Sequence, residues 1–424
     1  MKMKYLFCVT VISVSFAICP ATAQTVQFTG VNLAGAEFGQ TSLPGTYGSH
    51  YIYPNQNEVN YFKSKGMNAV RLPFRWERLQ QATNANFNIA ESNRLHLFVS
   101  QTTAKGVHVV LDPHNFARYY PDPGNYQSST IGLVGTSVSY SAFSNFWWRL
   151  ASLYKTNDHV IFNLVNEPNT MPTEQWVTAA NTAIAAIRAT GATNLVLVPG
   201  NGWTGAWTWY QNWYGTPNAQ AMTNIIDPEN NYAYDVHQYL DSNGSGGSSQ
   251  IVSETIGAER LSGFTQWLKD NNRRGFLGEF AVANSTVGAG IGDEAISNML
   301  THVEANSDVW LGWSWWAAGP WWGEYMFTLE PANLSSPIDR AAMNVLENFI
   351  PIPVPALELT GTNQFRFLAQ ASFLYQLQTS PDLVEDGWTD SGLPISGTNQ
   401  TVTVIMPVEA GSNLFYRVRA NRPP

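Results

Sequence analysis

Two glutamates far apart in the chain carry the first chemical signal. Glu167 stands in Asn166-Glu167-Pro168 and Glu279 in Gly278-Glu279-Phe280, and each directly follows a short apolar run. A pair of carboxylates is what cleavage of a glycosidic acetal needs. One must be protonated to donate to the leaving oxygen, and the other ionised to act at the anomeric carbon. Two such groups held close cannot both ionise cheaply, which divides these roles between them. A separation of about 5–5.5 Å would give retention of configuration, whereas a wider gap would admit water and give inversion.

Other polar residues end apolar runs in the same way. They include Arg71-Leu72-Pro73, Asp112-Pro113-His114-Asn115 and His237-Gln238-Tyr239, with Trp313, Trp315 and Trp316 in the last run. A lone histidine in such a place is more often structural than functional. Six run ends behaving alike are hard to explain by packing, because burying polar groups is costly. His237 and Tyr239 could orient the carboxylates. Asp112 and His114 could be read as metal ligands, but no third ligand at suitable spacing accompanies them. Neither a metal nor another cofactor is expected.

The elements that would gather these residues are repeated βα units. Eight strands are expected at 27–33, 69–72, 107–111, 160–164, 194–198, 233–237, 275–278 and 310–314. Helices are expected at 58–65, 95–105, 141–154, 176–190, 261–271 and 295–306. This alternation fits an α/β chain closed into a (β/α)₈ barrel, whose site forms at the C-terminal strand ends. An open doubly wound sheet is disfavoured, since no Gly-rich phosphate loop follows the first strand. The barrel is expected over 24–349 and a proline-rich linker over 350–356. A small all-β, sandwich-like domain is expected over 357–424, where residues alternate with period two. That tail is read as a spacer or accessory module in preference to a carbohydrate-binding one, with Trp388 and Tyr416 the candidates for a binding face.

The chain begins as an export signal would, over residues 1–23. Lys2 and Lys4 precede the apolar Tyr5–Ile18 stretch, and Ala21-Thr22-Ala23 fits a cleavage site. A secreted protein is expected. Both cysteines, Cys8 and Cys19, fall in that segment, so the mature chain would have none. The net charge of -9 and the lack of a basic cluster argue against nucleic acid. No later apolar stretch is long enough to span a bilayer. Only 12% of residues are charged while 13% are aromatic, including 16 Trp, which suits a flat, neutral ligand such as a sugar ring.

Asn166-Glu167-Pro168 after an apolar strand, with Glu279 in Gly278-Glu279-Phe280, resembles glycoside hydrolase family 5. Longer strings narrow the likeness to the endoglucanase branch of that family. They are Gly30-Val31-Asn32-Leu33-Ala34-Gly35-Ala36-Glu37-Phe38-Gly39, Val70-Arg71-Leu72-Pro73-Phe74, Leu111 through Tyr120, and Trp315 through Gly323. The resemblance implies that Glu167 is the acid/base and Glu279 the nucleophile. Arg71, His114, Asn166, His237, Tyr239 and an eighth-strand tryptophan would complete the site. Trp316 is chosen for that tryptophan, with Trp313 and Trp315 left open because alternation alone does not fix the phase. Arg71 would keep the nucleophile ionised, and Asn166 could bond a sugar hydroxyl. The expected activity is endo-β-1,4-glucan hydrolysis with retention, by a monomer acting on a β-glucan polysaccharide. A mannanase, a xyloglucanase or a non-catalytic sugar-binding barrel are the alternatives. Trp76, Tyr119, Tyr120, Trp203, Trp207, Trp321 and Trp322 follow strand ends and could be stacking platforms, with Trp203 and Trp322 preferred.

Overall fold

The computed structural model describes residues 26–120, 131–288, 290–352 and, with short gaps, most of 355–422. The expected export signal lies outside the described residues. Two compact units divide the chain, and the larger spans Gln24–Pro351.

That unit is a closed barrel of eight parallel strands. We label them β1 (Phe28–Leu33), β2 (Ala69–Phe74), β3 (His108–Pro113), β4 (Val160–Asn163), β5 (Val196–Pro199), β6 (Tyr232–His237), β7 (Gly275–Glu279) and β8 (Trp310–Ala318). All eight expected strands are present, with ends displaced by a few residues. Six long helices surround them: α1 (Gln56–Ser64), α2 (Ile89–Thr103), α3 (Tyr140–Tyr154), α4 (Thr173–Arg188), α5 (Ile256–Asp270) and α6 (Gly292–Ala305). Each begins earlier than the apolar periodicity suggests, by as much as six residues for α2. Caps, not apolar stripes, set two of those starts. Asn55 and Glu58 form a reciprocal capping box on α1, and the Asn88 side chain accepts from the Glu91 N–H on α2. Helices α2 and α4 stop just before Gly106 and Gly191, whose φ values of 74° and 84° suit glycine.

The barrel interior has two layers. Its floor is apolar, built by inward residues that include Phe28, Ala69, Val110, Ile161, Ala233 and Phe276. Side chains alternate along a strand, so the next inward residue lies two positions on. Those residues are Arg71, Asp112, Asn163, Asp235 and Gly278, with Asn32 one step higher on β1. A polar layer therefore sits on an apolar plug, at the strand ends where the site forms.

Between β5 and β6 the chain makes no long helix, only two 3₁₀ turns, Ala206–Thr208 and Met222–Asn224, and a four-residue helical turn, Asn218–Ala221. Trp209 occupies much of the space a helix would cover. It is fully buried, with ring centroids 4.7 Å from Phe264, 5.2 Å from Trp267 and 5.8 Å from Tyr234.

The smaller unit holds a three-stranded and a four-stranded antiparallel sheet. Phe365, Phe367, Phe373, Tyr375, Leu377 and Val404 form its core. Trp388 lies under the Arg417 guanidinium at 4.5 Å, and Tyr416 packs against the core.

Trp209→Ala should cost about 3–5 kcal/mol, the range for emptying a large aromatic site. Urea unfolding of the full chain followed by far-UV circular dichroism checks this, and a loss below about 1 kcal/mol would deny Trp209 that packing role.

Candidate active site

Arg71 organises the polar layer. It is completely buried on β2. Its Nη1 donates to Glu279 Oε1 and to Asn32 Oδ1, both at 2.7 Å. Its Nη2 donates to Asn166 Oδ1 at 2.7 Å and lies 3.1 Å from Asp112 Oδ2. Burial opposes the guanidinium charge, but Asp112, Glu279 and Asp235 outweigh it, and Arg71 is held above its ordinary range. Burial likewise opposes the Asp112 carboxylate, yet Arg71 and His114 hold it below its usual value.

From there the network reaches both glutamates. His114 Nδ1 donates to Asp112 Oδ2 at 2.9 Å, and His114 Nε2 accepts from Asn166 Nδ2 at 3.2 Å. The amide orientation follows from its partners, because Asn166 Oδ1 already takes Arg71. One N–H of Asn166 is left for a ligand. Tyr239 donates to Glu279 Oε2 at 2.7 Å. Burial, Glu279 and Glu167 push its phenol well above 10, so it remains a donor. Glu279 thus has a donor on each oxygen and is nearly buried, while the Glu167 side chain is 19% exposed and opens to the cleft.

His237 sits among three carboxylates. Its Nδ1 donates to Glu167 Oε1 at 2.7 Å and is 3.4 Å from Glu279 Oε2. Its Nε2 is 3.6 Å from Asp235 Oδ2, too long for a hydrogen bond but close enough for charge attraction. Burial alone would lower its pKa. Glu279, Asp235 and Glu167 more than offset this and raise it to about 10. One atom each from Glu167, His237 and Glu279 lie within 4.8 Å of one another.

Arg71, His114, Asn166, Glu167, His237, Tyr239 and Glu279 are therefore one connected group. Trp316 joins it by stacking on His114, with centroids 5.6 Å apart and planes at 18°. Trp313 and Trp315 are wholly buried on the other face of β8. The phase is fixed by Ser314, whose hydroxyl points inward and donates to the Gly278 carbonyl at 2.6 Å. The Trp316–Ala317 peptide is cis.

The aromatic platform candidates separate. Trp203 is 45% exposed and lines a cleft of about 480 Å³ beside Glu167, together with Trp207 and Trp213. Trp322 is half-buried, with Tyr325 stacked on it at 4.3 Å and Phe38 edge-on at 5.0 Å. Trp321 is exposed. Trp76 and Tyr119 are not platforms. Both are about 1% exposed and pack on each other at 4.8 Å. The platform expectation fails there because following a strand end does not decide on which side of a loop a ring falls.

Sequence reasoning passed over Asn32, Asn163 and Asp235, and weighed Asp112 only as a metal ligand. Asn163 Nδ2 bridges Asp112 Oδ1 at 3.1 Å and Asp235 Oδ2 at 3.2 Å, joining the two sides of the layer. Inward alternation from the apolar floor is the signal that could have found them. Trp213 and the Asn243–Ser245 turn beside the cleft carry no comparable signal.

The chain's relatives share this arrangement's family. The cellulase (glycosyl hydrolase family 5) model matches residues 21–319. The protein belongs to glycoside hydrolase family 5 and is a glycoside hydrolase. Endo-beta-1,4-glucanase B of Aspergillus niger is 42% identical over 329 residues, covering 77% of this chain and 92% of that protein. Endo-beta-1,4-glucanase A of Emericella nidulans is 43% identical over 307 residues, covering 72% and 87%. Among solved structures, XacCel5A in complex with cellopentaose is 42% identical with a TM-score of 0.70, over 76% of this chain and 99% of that one. An endo-beta-1,4-glucanase from Xanthomonas axonopodis pv. citri is 43% identical with a TM-score of 0.71, over 77% and 98%. These family 5 likenesses concern the barrel unit.

Because His237 is raised above its unfolded value, its contribution to stability is complete below about 6.5 and is lost as pH rises through about 10. Its ring ¹⁵N signals in the full chain should stay those of an imidazolium from roughly pH 5 to 8. Titration of the ring near pH 6.5 would remove the three-carboxylate account.

Proposed function

We propose that this family 5 enzyme is a secreted endo-β-1,4-glucanase that cuts internal bonds of cellulose and related β-glucans with retention of configuration. The observation that carries the reading is the approach of a Glu167 oxygen and a Glu279 oxygen to within 4.8 Å. That leaves no room for a water between carboxylate and anomeric carbon, as inversion would require. The glucanase names of the relatives support the substrate, and the open, aromatic-edged cleft beside Glu167 suits an internal stretch of a flat polymer. Lys2, Lys4 and Ala21-Thr22-Ala23 support export. We take the enzyme to act as a monomer.

In this mechanism Glu279 is the nucleophile, held by Arg71 and Tyr239, one donor to each oxygen. Its carboxylate attacks the anomeric carbon as the bond to the leaving oxygen breaks. Glu167 gives that oxygen its proton, and a glycosyl ester on Glu279 results. Glu167, now ionised, takes a proton from water. The water oxygen attacks the same carbon, the ester bond breaks, and Glu279 is released as carboxylate. His237 stays charged throughout and points its Nδ1–H at Glu167. Its positive charge offsets negative charge that appears on Glu167 in the first step. We assign Trp316, whose ring stacks on His114, the role of facing a sugar ring next to the scissile bond.

Glu279→Gln should lower cellopentaose turnover by more than about a thousandfold while glucan binding persists. Near-normal turnover would take Glu279 out of the mechanism. Proton NMR of the first product should show the β-anomer, and the α-anomer at early times would refute retention. Carboxymethyl cellulose should be hydrolysed faster than galactomannan, and equal or better mannan hydrolysis would refute the substrate assignment.

Activity should follow a bell-shaped pH profile with its maximum on the acidic side of neutral. It falls at low pH as the attacking carboxylate takes up a proton, and at high pH as the donor loses its own. His237 adds nothing to the basic limb until pH nears about 10. A profile flat well above neutral, measured on cellopentaose, would contradict the divided roles.

A further inference from the structure

The outer flank of the barrel carries a second hollow, of about 580 Å³, between α3 and α4. Its lining includes Asn84, Ser141, Ser144, Asn145, Trp148 and Thr182, and none of its lining residues borders the cleft. We propose that this hollow is a second β-glucan contact site, in which Trp148 stacks on a sugar ring and the surrounding amides and hydroxyls bond its edges. The proposal rests on the glucanase reading of the cleft for the identity of its ligand.

Three observations carry it. First, Trp148 is 47% exposed in the middle of a helix on which Phe143, Phe146, Trp147 and Tyr154 are buried and Tyr140, which also lines the hollow, is half-buried. A single exposed tryptophan is unremarked on most surfaces, so the surroundings must decide. Second, every polar residue of the lining is neutral. Hydroxyls and carboxamides around one indole suit a ligand that is flat, uncharged and edged with hydroxyls, and suit a charged ligand poorly. Third, the rim is fixed in advance. Asn145 Oδ1 accepts from Arg149 Nε at 2.8 Å and from Gln80 Nε2 at 3.0 Å. With its oxygen so engaged, the Asn145 amide presents its N–H₂ end as a donor. Arg149 continues to Asn86 Oδ1 at 2.8 Å and the Asn84 carbonyl at 3.4 Å, tying the loop before α2 to α3. The Arg149 guanidinium is thereby engaged in holding the rim. A polymer bound at both cleft and hollow dissociates only when both contacts open together, which raises the local concentration of substrate at the cleft. A short oligosaccharide gains nothing from this.

The test compares the full chain with Trp148→Ala and with Ser144→Glu, measuring initial rates on particulate cellulose and on cellopentaose. Ser144→Glu places a charge in the hollow and removes no hydrogen bond of the rim. The loss of one stacked ring corresponds to about tenfold weaker contact. Both variants should therefore lose up to roughly tenfold in rate on particulate cellulose at sub-saturating protein and keep the wild-type rate on cellopentaose. Equal rates of variants and wild type on particulate cellulose would overturn the proposal. So would parallel losses on both substrates, which would mark a general structural defect. The cellopentaose rate of the wild type tests the cleft and the ratio between substrates tests the hollow, so the two readings fail separately.

Discussion

A full positive charge with no exposure to water has to be balanced inside the barrel, and Arg71 is that charge. Removing a guanidinium from water costs several kcal/mol, and the cost is met only when good geometry satisfies its donors. Here two carboxylates and two amide oxygens surround its two terminal nitrogens, while its buried Nε–H finds no partner among the described residues. Each of these partners is itself buried and needs further partners. Asp112 turns to His114 and Asn163, Asn163 to Asp235, Asn166 to His114, and Asn32 to the Gly278 and Trp315 carbonyls. The requirement propagates until it reaches Glu167 and Glu279, where one edge opens to the cleft. The two carboxylates are close because a charge balance holds them so. Gly278 shows how little slack remains, since a Cβ there would lie 2.2 Å from Asp235 Oδ1.

The fold was legible in the sequence to the extent that it is a matter of apolar runs. Eight such runs became eight strands, because a parallel strand buried on both faces needs no alternation to be seen. Helix starts were less legible. The first two residues of α2, Ile89 and Ala90, face solvent, Ile89 at 78% exposure, so the start is marked by the cap Asn88 and not by periodicity. In the site, residues at run ends were found and those one inward step below were not. Asp235 and Asn163 lie inside the strands, where a polar residue reads as an interruption unless its inward neighbours are known. The ambiguity among Trp313, Trp315 and Trp316 had the same origin. Ser314 resolves it, because a small hydroxyl on the inward face must meet the Gly278 carbonyl.

A high tryptophan content is a weak guide to function by itself, and the structure explains why. Trp76, Trp147, Trp176, Trp209, Trp310, Trp313 and Trp315 are fully buried and serve the core. Trp203, Trp207 and Trp213 are exposed, line the cleft, and all belong to the connection between β5 and β6. That is the connection without a long helix. A helix there would bury its apolar face on the barrel and hold the chain against the outer wall. Trp209 does much of that burying with one side chain, and the Trp267 indole N–H secures the Asn218–Ala221 turn by donating to the Ala219 carbonyl at 2.7 Å. With the wall closed so economically, the stretch from Gly200 to Trp213 is free to follow the rim and present rings to the cleft. The irregular segment thus exchanges helical packing for aromatic reach, and Trp209 is the residue that makes the exchange stable.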